Sequence, residues 1–211
     1  MKVLAINGSP NKEGNTFHAL TIVGSKLKDQ DIEFEILDIG NKAVRGCMAC
    51  GKCRETKDEK CSVTTDPLNE WIQKMKAADG LILASPVHFS GIPGTMKSFL
   101  DRAFYVSSGN GNLFRHKVGA AVVAVRRSGG SSTFDSLNHY LMYCEMILAT
   151  SNYWNIIHGR MPGEVLKDEE GNQIMETLGN NMAWILKMKN QAKESVPAPP
   201  PVQKIMTNFI R

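Results

Sequence analysis

Three bare apolar runs constrain this chain most: Lys2 to Asn7, Gly80 to Ser85 and Val118 to Val125. Each is rich in Val, Leu, Ile or Ala, and each stops at a loop built from Gly, Pro, Ser or Arg. Such runs fit strands buried on both faces, which occur in parallel sheets covered by helices. The segments between them have helical spacing. Asn15 to Lys28 carries Phe17, Leu20, Val23 and Leu27, and Pro67 to Ala78 carries Leu68, Trp71, Ile72 and Met75. Further helices are expected over Thr95 to Tyr105, Ser131 to Ile147 and within Asp168 to Lys193. Ile32 to Ile39 alternates apolar with acidic residues, as an edge strand does, and Tyr153 to Ile157 is a candidate fifth strand. Strands alternating with helices imply right-handed crossovers and a doubly wound, three-layer α/β/α sheet. Ligands of such sheets bind at the carboxyl ends of the strands, beside the switch in strand order.

A chain of 211 residues suits one domain with a full core. Residues 1–193 are expected to form it, with a Cys-rich loop at 46–62 and a Pro-rich tail at 194–211. Pro197-Ala198-Pro199-Pro200-Pro201 cannot be helical, so the tail should be extended. The net charge of +4 is spread along the chain rather than gathered on one element, which argues against nucleic acid as a partner. Met1 to Asn7 is too short for a signal peptide, and nothing has the length of a membrane span. The expectation is a cytoplasmic protein with no membrane partner.

Three loops carry the candidate chemistry. Gly8-Ser9-Pro10-Asn11-Lys12-Glu13-Gly14-Asn15-Thr16 joins a buried strand to a helix N-terminus, where unpaired N–H groups and partial positive charge favour a phosphate. Ser9, Asn11, Asn15 and Thr16 can donate to its oxygens, and Gly14 lets the backbone turn. The loop has neither the Gly-Lys-Ser/Thr of a triphosphate cradle nor Gly-x-Gly-x-x-Gly, so a lone phosphomonoester suits it. An ordinary turn capped by Asn15 or Thr16 is the alternative. The second loop, Pro86-Val87-His88-Phe89-Ser90-Gly91, is stiffened by Pro and Gly and can wall a planar heterocycle. Its alternative places Phe89 in the core and His88 on the surface. The third loop, Arg126-Arg127-Ser128-Gly129-Gly130, lets a ligand approach the backbone at its glycines. Its arginines either face a flavin's pyrimidine edge or are simply solvated.

In that order these loops, followed by Met96-Lys97-Ser98-Phe99-Leu100-Asp101-Arg102, resemble the NADPH-dependent FMN reductase and flavodoxin-like flavoproteins over roughly residues 1–160. The resemblance implies a flavodoxin-like five-stranded parallel sheet of order 2-1-3-4-5. It also implies FMN as cofactor, with its phosphate in the first loop, its ring along the second and its polar edge under the third. Family members usually carry Tyr and an aromatic where this chain has His88 and Phe89.

Cys47, Cys50, Cys53 and Cys61 crowd into one segment, whereas Cys144 stands in a helical stretch as a structural thiol. Three thiolates three residues apart with a looser fourth can hold a cubane, while structural zinc favours two separated pairs. The readings are a (4Fe-4S) cluster, free or redox-active thiols, and zinc. The pattern is similar to that of the iron–sulfur flavoproteins, a branch that implies such a cluster beside FMN. The five histidines form no evident cluster with carboxylates, as expected where a flavin carries the chemistry. The resemblance then implies an oxidoreductase passing electrons from NAD(P)H or a reduced protein donor to a quinone, flavin or other small electrophile. A non-enzymatic electron carrier is the alternative, and a redox or metal sensor the third. It further implies a small-molecule or protein redox partner and a homodimer or homotetramer.

Overall fold

A computed structural model describes residues 1–209 of the chain. The last two residues of the predicted tail lie outside the described residues. The elements run β1 (Lys2–Asn7), α1 (Asn15–Lys28), β2 (Glu33–Asp38), α2 (Lys52–Thr56), α3 (Leu68–Ala77), β3 (Gly80–Pro86), α4 (Gly94–Gly109), β4 (Val118–Val125), α5 (Gly130–Tyr143), β5 (Ile147–Leu148), β6 (Ile156–His158) and α6 (Glu169–Ala192). All strand pairings are parallel, in the order β2-β1-β3-β4-β5, with β6 also on β4. This is the flavodoxin-like order expected from the resemblance.

Alternate residues of the central strands feed two cores. Leu4, Ile6, Leu81, Leu83, Ala121 and Val123 pack with α3, α4 and α5 on one face. Val3, Ala5, Ile82, Ala84, Ala120 and Val122 pack with α1 and α6 on the other. Because both faces are covered, the strands need no polar alternation, which is why the runs are bare. β2 lies at the sheet edge and is only partly buried, in keeping with its alternating sequence.

The fifth strand differs from expectation. The helix predicted to reach Ile147 stops at Tyr143, and Ile147–Leu148 pairs with Val118–Gly119. The stop is a Schellman turn: Glu145 N–H donates to Met142 O and Met146 N–H to Leu141 O, with Glu145 at φ +52°. The chain then leaves the sheet and returns at Ile156–His158, which pairs with Val123–Val125. Buried Asn155 fills the gap, its side-chain amide donating to Ala121 O at 2.9 Å and its carbonyl accepting from Val123 N–H at 2.9 Å. The expected strand at Tyr153 to Ile157 is thus only the short β6, and it shares its sheet position with β5, which was not expected.

After α6 the described part of the tail forms no helix or strand. Arg115 donates to the carbonyls of Pro199 and Pro200, and Lys204 lies 4.6 Å from the Tyr143 ring centroid. Among the described residues no helix is long and apolar enough to cross a membrane.

Candidate functional site

The three predicted loops lie at one end of the sheet because β1, β3 and β4 run parallel and all end there. The first is ordered by its own hydrogen bonds. Asn7 Oδ1 accepts from Ser9 N–H, Ser9 Oγ accepts from Asn11 N–H, and Asn11 O accepts from Gly14 N–H. Asp38 at the end of β2 holds the Asn7 amide at 2.8 Å. Gly40 presses on this loop so closely that a Cβ there would stand 2.2 Å from the Ser9 carbonyl.

Gly14 is the N-cap of α1, and no side chain caps the helix. The alternative of Asn15 or Thr16 as a cap is thereby set aside. Instead Asn15 Oδ1 and Thr16 Oγ1 are buried without a hydrogen-bond partner, and Thr16 is only 1% exposed. No acidic residue occupies the first turn. A buried hydroxyl without a partner at an uncapped helix N-terminus is a donor that an anion would satisfy, whereas Asn15 Oδ1 is an acceptor and calls for a donor instead. Asn11 is exposed and Ser9 buried beside them.

The second loop folds into a two-residue turn. His88 N–H donates to Gly91 O at 2.9 Å and Gly91 N–H to His88 O at 3.0 Å. Phe89 and Ser90 at its tip both have positive φ, +43° and +72°, the signature of a type I′ turn. Phe89 is fully exposed and so does not belong to the core; His88 is exposed too, while Pro86 and Val87 are half-buried. The third loop closes on this turn. Ser132 Oγ donates to Ser90 O at 3.1 Å, and a Cβ on Gly129 would stand 2.9 Å from Val87 Cγ1. Gly129 has φ +86°, so both conformation and space require glycine. Gly130 is buried, whereas Arg126, Arg127 and Ser128 face solvent. Beyond this loop a cleft of about 320 Å³ is lined by Arg127, Tyr153, Trp154, His158 and Asp168. His158 Nδ1 stands 3.5 Å from Asp168 Oδ2, a histidine–carboxylate pair that the sequence did not show. The carboxylate is occupied structurally, since it caps α6 through Gly171 N–H and accepts from His158 N–H.

Cys47, Cys50, Cys53 and Cys61 line one narrow pocket with Arg102 and Tyr105 of α4. Cys53 sits on α2, a short helix that the sequence did not announce. None of the five cysteines is in a disulfide. Among the described residues no three His, Cys, Asp or Glu side chains converge as ligands of a single metal ion. Four thiols that line one pocket are nonetheless a donor set of the kind that sulfur-ligated metal centres use. The Ser62 hydroxyl and the Lys52 backbone hold the Cys50 thiol below its ordinary range, and burial together with the neighbouring thiols pushes Cys53 up. Cys61 is placed by Asn69, whose amide side chain accepts from Cys61 N–H at 2.7 Å and donates to its carbonyl at 2.9 Å. Cys144 does not line this pocket and is buried, with its thiol raised to about 11.

Residues 1–160 match the family described as NADPH-dependent FMN reductase. The chain belongs to that family. Among relatives of this family member, an iron–sulfur flavoprotein of Methanocaldococcus jannaschii is 32% identical over 195 residues, covering 89% of this chain and 98% of that one. An iron–sulfur flavoprotein of Methanosarcina thermophila is 34% identical over 154 residues, covering 72% of this chain and 78% of that one. Of solved structures, RosB with a bound riboflavin-phosphate intermediate superposes with TM-score 0.69 at 13% identity, covering 100% of this chain and 92% of that one. A flavodoxin from the domain Archaea gives 0.59 at 14% identity, with coverages of 89% and 99%. At those identities the structural likeness establishes the fold of this FMN reductase family member. The sequence relatives supply its flavoprotein class.

Proposed function

We propose that this chain is an FMN-dependent oxidoreductase that passes electrons from NAD(P)H or a reduced protein donor to a small acceptor. The observation that carries the reading is the buried, unpartnered Thr16 hydroxyl at the uncapped N-terminus of α1. Asn15 and Thr16 would hold the FMN phosphate with Ser9, Asn11 and Gly14. Their donors come from a helix end whose partial positive charge favours the dianion. Val87 to Gly91 and Ser128 to Gly130 would border the ring, because those two loops already touch. Pro86 fixes the start of the second loop, and His88 and Phe89 offer rings at its open edge. Exposed Arg126 would oppose negative charge at the ring's polar edge. When bound, the flavin supplies hydride or single-electron exchange, so the chain needs to orient, shield and tune rather than to provide an acid or base.

The four cysteines of the second pocket would hold a (4Fe-4S) cluster. A carrier role, with electrons moving between protein partners and no turnover of a small substrate, is the second reading, favoured by the solvent exposure of Cys47 and Cys50. Protein purified without oxygen would be assayed for flavin, iron and sulfide, then mixed with NADPH or NADH and a quinone or azo acceptor. Flavin-dependent turnover supports the oxidoreductase. Flavin that a reduced protein donor bleaches with no turnover of the small acceptor supports the carrier, and failure to bind FMN refutes both. Sedimentation would test a homodimer or homotetramer, and a monomer would exclude either.

A further inference from the structure

Among the described residues Arg102 is the largest fully buried side chain, 1% exposed, and it is aimed at the cysteine segment. Its Nε donates to Cys61 Sγ at 3.3 Å. One terminal nitrogen donates to the Arg45 carbonyl at 3.1 Å and to the Asp66 carboxylate, and the other donates to the Val63 carbonyl at 3.1 Å. Arg45 precedes the first cysteine, whereas Val63 and Asp66 follow the last. One guanidinium on α4 therefore joins both ends of the cysteine segment and touches its fourth thiol. Asp66 is itself buried and also accepts from the backbone N–H groups of Arg45 and Leu68, so the ion pair is tied to the same neck. A lysine could supply the charge but not the planar fork that reaches four acceptors in three directions.

We propose that Arg102 is the positioning residue of the cysteine pocket, clasping the neck of residues 45–66 to α4 and presenting an N–H and a positive charge to the Cys61 sulfur. This deepens the reading of the four thiols as cluster ligands and rests on it for the second half of its test. A hydrogen bond and a cation beside a ligating sulfur favour the more negative, reduced state of an iron–sulfur centre. The buried pair alone would be only a structural bridge. The potential separates the two roles.

The test uses the full chain in three forms: wild type, Arg102→Gln, and the double variant Arg102→Leu/Asp66→Asn. The double variant leaves no unpaired buried charge and so guards against simple unfolding. In iron-free protein, hydrogen exchange read by mass spectrometry should quicken about tenfold or more across residues 45–66, the scale of one lost charged hydrogen bond. Exchange in β1, β3 and β4 should stay as in wild type. Unchanged exchange in the segment in both variants overturns the clasp. In iron-loaded protein, the midpoint potential of the cluster should fall in both variants. An unchanged potential in a loosened segment overturns the role at the Cys61 sulfur. Wild-type protein that takes up no iron refutes the cluster reading instead, and the exchange measurement still decides the clasp.

Discussion

Replacing Thr16 by valine is expected to move stability and flavin affinity in opposite directions. The Thr16 hydroxyl is buried and has no hydrogen-bond partner in the protein. A buried hydroxyl left unpaired costs about 1–3 kcal/mol, and valine removes it while keeping the branched shape. The flavin-free variant should therefore be at least as stable as wild type, and up to about 1 kcal/mol more stable if the hydroxyl recovers part of that cost locally. Binding inverts the sign, because a hydrogen bond to a charged group is worth about 1.5–3 kcal/mol, or roughly a 10- to 150-fold change in Kd. Urea melts without flavin measure the first effect, and FMN titration followed by flavin fluorescence measures the second. Riboflavin, which lacks the phosphate, should bind both proteins alike. Equal losses for riboflavin and FMN, or a flavin-free variant less stable than wild type, would refute phosphate as the partner of this hydroxyl.

Gly129→Ala should destabilise the protein by about 1–2 kcal/mol, since the residue is left-handed and its Cβ would meet Val87. A thermal melt reads this, and an unchanged midpoint would mean that the second and third loops separate at no cost. Phe89→Asn should instead raise stability by about 1 kcal/mol, because asparagine accepts the positive φ of the turn and the lost ring is fully exposed. A simultaneous fall in FMN affinity would show that the ring contacts the flavin, and a lower melting temperature would contradict the strain argument. Cys144 gives a pH signature. Its thiol is raised by burial from 9.0 to about 11, so between those values the unfolded chain releases a proton that the folded one keeps. Stability should fall as pH rises from about 9 to 11, by at most about 3 kcal/mol, and less steeply in Cys144→Ala. Parallel urea-midpoint curves for the two proteins across that window would count against it.

The strands β1, β3 and β4 were legible because burial on both faces leaves a sequence with no polar period. The end of α5 was not, because its stop is a left-handed Glu145 where the usual glycine is absent, and helical spacing runs on past it. The split of the fifth strand was hidden for a related reason. Asn155 substitutes its side-chain amide for backbone in the ladder, and no local propensity announces that. In the site, the first loop could be read from its small polar residues before a helix. The turn at Phe89 and Ser90 could not, since neither residue advertises a positive φ. Cysteine spacing suggested one pocket, but Cys61 arrives there through Asn69 and Arg102, contacts 8 and 41 residues away along the chain. Arg102 stood in the motif that carried the resemblance, yet nothing in its spacing says which way its side chain turns.

The divided fifth strand also bears on how safely this protein can be crowded. A sheet margin with a long row of free backbone donors and acceptors invites a strand from another molecule. Here one margin consists of a two-residue and a three-residue piece, with Asn155 plugging the interval between them. The other margin is β2, whose Glu33 and Glu35 are bridged to Lys2 and Lys74 and so place charge along the rim. Neither side offers an unbroken apolar template. The same detour that disguised the topology thus leaves a chain with a wholly parallel sheet little opportunity to grow into fibres by edge-to-edge addition.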